Sequence, residues 1–293
     1  MNKHMTQGIN ALASVVENEK NGWFGGHIGA ALIAGSELLN SKTLSESGKA
    51  ALHKRLDQIS DQYKNEILTF EHILDQYTDD FSPILNALEI STTNLSHSGH
   101  GTIYGALFLT AAQGNKVTMK QVENVASLII NCQQDRGNRY AGIDDYRNHP
   151  LTDSTLAIEQ QNALEGEWIY QYAVNQSTQD IHYDNNDHFL AGEKVHGITH
   201  AQALYQLEVL GYSMLAEQGK QVLLRQLILN NQKPDNKLIK VKAKNFDLTS
   251  SNLTVKDFND LHQIKLAYSY QQLESKLSLP LNKLDNLWGS HYK

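Results

Sequence analysis

Proline interrupts this chain at only four places, Pro83, Pro150, Pro234 and Pro280. Long stretches are therefore free to run as uninterrupted helix, and the apolar residues recur at helical spacing. Residues 27–39, 101–112, 118–131 and 201–216 each place them three and four apart. A longer stripe runs through 48–77, with Leu52, Leu56, Ile59, Tyr63, Ile67, Phe70 and Leu74 on one side, and 152–173 and 219–230 continue the theme. Thr254 ahead of Val255 and Asp257 marks a helix start, followed by apolar positions across 257–275. The best strand signal, 238–241, is short and without a partner, and one such strand makes no sheet. Turn-rich segments fall at 92–101, 133–151 and 175–194. The expectation is an all-α fold: one multi-helix domain over residues 1–293, of about ten helices, with no composition break to mark a linker.

Charge and composition exclude several classes of function. The 25 Lys plus Arg against 32 Asp plus Glu leave a formal charge of −7 and no basic patch, which argues against a dedicated nucleic-acid binder. Apolar runs fall far short of the roughly 20 residues that span a bilayer, and the first twenty residues lack the apolar core of a secretory signal. Cys132 stands alone, so it has no internal disulfide partner and reads as a buried thiol. Together these predict a cytoplasmic protein with neither nucleic-acid nor membrane partners.

Histidine, by contrast, is abundant, with 13 in the chain, and it is the commonest metal ligand. His27 in GWFGGHIGAALIAG, His100 in SHSGHGTIYGAL and His196 in EKVHGITHAQAL share one setting: glycine beside them and a helix rich in small residues. Any one of them alone also fits a core or capping histidine. Three from separate helices fit the way bundles build metal sites, with side chains converging from several helices. Near the C-terminus His262 and Lys265 are three apart and share a helix face with apolar neighbours. Such a lysine either snorkels to solvent or, if buried, becomes a neutral amine. A neutral amine can take up carbon dioxide to form an anionic carbamate.

His97 and His200 lie three before His100 and four after His196, so each is placed to replace its neighbour as ligand, to support it or to meet a substrate. His72, beside Glu71 in a long amphipathic stretch, is a further candidate. His4, His53, His149, His182, His188 and His291 occupy polar or terminal contexts and read as solvated. Neither phosphate-binding glycine motif is present, nor G-x-S-x-G, C-x-x-C or H-E-x-x-H.

At these residues the chain resembles the questin oxidase-like family of helical proteins. GGHIGAALIAG at 25–35 stands where the family has N-H-x-P-M-x-x-x-A-L, and HGTIYGAL at 100–107 is similar to its H-G-L-I motif. VHGITHAQAL at 195–204 follows V-H-x-x-T-x-x-x-A-L, and DLHQIKL at 260–266 follows D-x-H-x-x-K-[LF]. The four occur in order across residues 20–275. The departures are Gly26 in place of the motif's Asn, Gly29-Ala30 in place of Pro-Met, and Tyr104 and Tyr205 where arginines often stand.

The resemblance implies an oxidoreductase acting with dioxygen on a small aromatic, polyketide-like substrate, by oxidative ring cleavage or Baeyer–Villiger-type oxidation. It implies a non-haem iron held by His27, His100, His196, His262 and a carbamylated Lys265. His97, Tyr104, His200 and Tyr205 are then candidates to orient substrate or pass protons. Imidazole ligation by itself accepts zinc, copper or nickel as well as iron, and a mono-oxygenase reaction admits NADPH as reductant. Two other classes compete: a hydrolase using metal-bound water, and a non-catalytic helical binding protein whose histidines pack and cap.

Overall fold

The computed structural model describes residues 3–18, 22–70, 77–133, 167–177, 182–183, 190–230, 239–240, 246–278 and 285–290. The all-α expectation holds among them. The helices are α1 (Lys3–Ser14), α2 (Gly26–Asn40), α3 (Glu46–Gln62), α4 (Ser82–Ser91), α5 (His100–Ala112), α6 (Met119–Asn131), α7 (Trp168–Ser177), α8 (Leu190–Val209), α9 (Ser213–Asn230), α10 (Leu261–Leu277) and α11 (Asp285–Ser290). Among the described residues strands are limited to two-residue pairs: β1 (Tyr77–Thr78) with β2 (Val117–Thr118), and β3 (His182–Tyr183) with β4 (Ile239–Lys240), both antiparallel. The short strand expected at 238–241 thus has a partner after all. His72, His149, His188 and His291, and most of 133–151, lie outside the described residues.

The chain groups into two compact units. One comprises 1–91, 101–133 and 248–268, the other 92–100, 134–247 and 269–293.

In the first unit α1 packs along α2 and also meets α3 and α6, while α4 lies on α6. Glycine makes the α1–α2 approach close. A Cβ on Gly29 would stand 2.6 Å from the Leu12 nitrogen and 2.8 Å from the Gly8 carbonyl, and one on Gly8 would meet Ile33 at 2.6 Å. Farther along α2, Gly35 admits Leu56 of α3 and Ile264 of α10. Polar ties complete the unit. Thr118 and Gln121 form a capping box at the start of α6, Gln121 donates to Asn10 at 2.7 Å, and Asn124 donates to the Ala13 carbonyl at 2.9 Å. Cys132 is buried, and burial pushes its thiol up, so it stays protonated.

One helix expectation and one burial expectation are corrected here. Of the apolar stripe of 48–77, the helix ends at Gln62 and 63–70 are not helical, while 71–76 lie outside the described residues. Backbone groups beyond Gln62 are taken by α1's end instead: Asn18 donates to the Glu66 carbonyl at 2.6 Å, and the Leu68 nitrogen donates to Ser14 Oγ at 2.8 Å. Periodicity cannot register that competition. His4, expected in solvent, is 2% exposed and faces Asp57 of α3.

In the second unit α8 is packed by α7, α9, α11 and the turn at His97–Gly99. With neighbours on several sides it buries Val195, Ile198, Ala201, Ala203, Leu204 and Leu207. Gly219 of α9 brings Leu204 within reach, where a Cβ would meet Leu204 at 2.4 Å. The helix expected over 201–216 breaks instead at Gly211, whose φ of +89° is open to glycine and strained for other residues. A new helix starts at Ser213.

Replacing Gly29 by Ala puts a methyl group into main-chain atoms of α1 that cannot swing aside. It should lower unfolding stability by about 1–3 kcal/mol in chemical denaturation. Gly114→Ala, where a Cβ would meet nothing within 4 Å, should change stability by less than about 0.5 kcal/mol.

Candidate metal centre

In the first unit, His27 sits in the first turn of α2, after a turn at Gly22–Gly25 that presents Trp23 and Phe24. The Phe24 ring stacks on the His27 imidazole at 4.3 Å between centroids and is 55% exposed, so it covers an otherwise buried histidine from the solvent side. The Tyr104 hydroxyl of α5 lies 2.7 Å from His27 Nδ1. Its ring occupies the space a side chain on Gly26 would fill, since a Cβ there would come within 2.5 Å of it. Gly26 and Tyr104, which stand at separate places in the sequence, are therefore one packing solution. Burial raises the Tyr104 pKa well above that of a free phenol, so the hydroxyl stays protonated.

His262 sits in the first turn of α10, and Asp260 does two jobs there. Asp260 Oδ1 accepts from the His262 backbone nitrogen at 2.6 Å, and the Asp260 nitrogen donates to Gln263 at 3.0 Å, which caps the helix. The same oxygen accepts from His262 Nδ1 at 2.9 Å. An ionised carboxylate can only accept, so the hydrogen is on Nδ1 and His262 Nε2 is left with its lone pair.

His262 Nε2 lies 2.9 Å from His27 Nε2. If Tyr104 donates to His27 Nδ1, the His27 hydrogen sits on Nε2 and bridges the two rings. If Tyr104 accepts, two lone pairs face each other, and a cation is what would make that stable. Taking up a cation therefore needs only a shift of the His27 hydrogen from Nε2 to Nδ1, with the Tyr104 oxygen ready to receive it.

Lys265 follows one turn after His262. It is 1% exposed, and its Nζ has no hydrogen-bond partner among the described residues. Burial pulls its pKa down to about 7, against a smaller opposing pull from Asp260. An unpaired buried amine is costly when charged, and with a pKa of about 7 a large fraction of this one is neutral and nucleophilic near physiological pH.

In the second unit, His97, Ser98 and Gly99 adopt φ of 41°, 55° and 83°, a left-handed run that costs about 1–2 kcal/mol for each non-glycine residue. The turn aims the His97 carbonyl at His100 Nδ1, which donates to it. This fixes the hydrogen on Nδ1 and leaves His100 Nε2 as the donor to a ligand. The His100 ring packs edge-on against His196 of α8, centroids 4.3 Å apart. His200, one helical turn beyond His196, braces the same turn. Its ring fills the space beside Gly99, and Gln226 of α9 spans from His200 Nδ1 (2.8 Å) to the Ser98 carbonyl (3.1 Å). Because the Gln226 NH2 group is used on Ser98, its oxygen faces His200, so the His200 hydrogen is on Nδ1. Burial lowers the His200 pKa to about 4, and the ring is neutral.

The four histidines singled out in the sequence form one group. His27, His100 and His196 are buried, His262 is partly so, and each offers a ring nitrogen within 4.8 Å of the others. Donors on opposite sides of one ion, with bonds of about 2.1 Å, lie about 4.2 Å apart. The group has the dimensions to hold a metal ion.

The remaining candidates are distributed as follows. Tyr104 meets His27 directly, His97 contributes its carbonyl to His100, and His200 supports the turn. Tyr205 is nine residues from His196, hence on the opposite side of α8, where it packs on Tyr170 at 6.0 Å and lies under Lys276. Asp260, Gln226 and Phe24 were not among the sequence candidates. Asp260 was detectable through the D-x-x-Q capping signal at 260–263; Gln226 and Phe24 carried no local signal.

Comparison with protein-family models, curated proteins and solved structures found no match.

His200 couples this region to pH. Its folded pKa lies below the ordinary 6.5, so the folded state resists protonation and stability falls as pH drops from 6.5 toward 4. The full contribution is about 3 kcal/mol. His200→Gln should flatten the acid limb of a stability–pH curve measured by denaturant unfolding; an unchanged slope would contradict a buried neutral ring.

Proposed function

We propose that His27, His100, His196 and His262 hold one divalent metal ion and that the protein is a non-haem iron oxygenase of the questin oxidase-like kind. Its substrate is a small aromatic, polyketide-like molecule, which it oxidises with dioxygen by ring cleavage or Baeyer–Villiger-type insertion. The observation that carries this reading is the set of four imidazole nitrogens within 4.8 Å of one another. Hydrogen bonds from Nδ1 of His100 and His262 reserve their Nε2 lone pairs for a ligand.

Bound iron would supply the electron exchange that dioxygen chemistry requires. The chain's own residues do the rest. Four neutral imidazoles leave the ion's charge uncompensated, which is costly in a buried site. Lys265 is the residue to correct this. Its neutral amine adds to carbon dioxide, forming an N–C bond and releasing one proton, and the resulting carbamate brings a negative charge and oxygen donors. Tyr104 sets the His27 tautomer, and Asp260 sets that of His262. The exposed Phe24 face beside His27 offers a flat apolar surface on which an aromatic substrate can stack. His97 and His200 hold the turn that aims His100. A mono-oxygenase course would consume a reductant such as NADPH, whereas ring cleavage that places both oxygen atoms in the product needs none.

Metal analysis of protein purified without added metal tests this reading. Iron in stoichiometric amount is the expected result. Zinc in its place would favour hydrolysis by metal-bound water, and fully helical protein that binds neither would leave a binding module. Lys265→Ala should lose the bound metal or its turnover; retention of both would remove the carbamate. Asp260→Asn should weaken metal binding by about 10–100-fold, measured by competition with a chelator.

A further inference from the structure

A second group of side chains that could hold a metal lies in the first unit, apart from the four histidines and Lys265. His4 of α1 and His53 and Asp57 of α3 each offer a donor atom within 4.8 Å of the others. Asp57 reaches both histidines, with Oδ1 3.6 Å from His4 Nε2 and Oδ2 3.3 Å from His53 Nδ1. Donors on one tetrahedral ion with bonds of about 2.1 Å lie about 3.4 Å apart, so both separations suit a shared ion. The two imidazoles stand edge to face, 5.0 Å between centroids. His53 and Asp57 are four apart on one helix and so project from the same side.

We propose that His4, His53 and Asp57 form a divalent-cation site of the zinc class that clasps the start of α1 to α3. Two imidazoles and a carboxylate that binds through one oxygen leave a fourth position for water. Lys3 competes for the site. Its Nζ lies 3.1 Å from Asp57 Oδ1 and would have to yield the carboxylate. Its side chain is 64% exposed, so the ammonium can return to water at little cost. His4 is buried while His53 and Asp57 reach solvent, which lets an ion approach from outside and leaves one ligand held in place by the fold. Gln7, which interacts with the His4 ring, is itself held by Ser60 at 2.8 Å. This inference is independent of the oxygenase reading, since it uses none of the same side chains.

Zinc titration by calorimetry, with the full chain first stripped by chelator, tests it. The wild type should bind one more zinc per chain than His53→Ala, and His53→Gln should lose the same equivalent; both changes are at an exposed position that the helix tolerates. Lys3→Met, which removes the competing cation, should tighten that equivalent about threefold. Equal zinc stoichiometry in wild type and both His53 variants would overturn the site, as would a Lys3→Met chain that binds zinc no more tightly. A chain that binds no zinc at the four-histidine group would still lose one equivalent on His53→Ala, so the two readings fail separately.

Discussion

An imidazole can offer one nitrogen to a ligand only if its hydrogen is committed to the other, and this commitment underlies the rest of the account. His262 gives its hydrogen to Asp260, and His100 gives its own to the His97 carbonyl. His27 faces Tyr104, whose hydroxyl works in either direction. The partners come from local features of the chain: a helix cap, a left-handed turn and a buried phenol. Each also has a structural role of its own, so the chemistry of the histidines is tied to the integrity of α2, α5 and α10.

Small residues make those positions reachable. Gly29 and Gly8 let α1 and α2 touch, Gly35 admits α3 and α10 side chains, and Gly26 clears a place for Tyr104. A helix contacted on several sides needs no polar face, and α2 accordingly buries nearly every residue from Gly26 to Leu38. The strained turn at His97–Gly99 is held by Gln226 and His200, and its strain serves to place one carbonyl.

Much of this was legible in the sequence. Scarce proline and regular periodicity predicted the helices, and the glycine-flanked histidines His27, His100 and His196, with His262, are the ones that group. Of the two readings left open for Lys265, snorkelling or burial, the fold gives burial. What escaped notice depends on contacts across the chain. Asn18 and Ser14 end α3 early by taking backbone groups that periodicity assigns to a helix. Gly211 breaks a stretch whose apolar spacing continues on both sides. His4 looked terminal and polar, but the packing of α1 on α3 buries it beside Asp57. Tyr205 looked equivalent to Tyr104 by motif, yet helix phase turns it away from His196.

The central claim concerns how many imidazoles surround one ion. X-ray absorption at the iron edge, on iron-loaded protein carrying His53→Ala to silence the other site, counts them directly. The account predicts a shell of nitrogen and oxygen at about 2.1 Å, with outer-shell scattering from four imidazole rings. Scattering from two rings or fewer, or a shell that loses no ring when His262 is replaced by Ala, would contradict it.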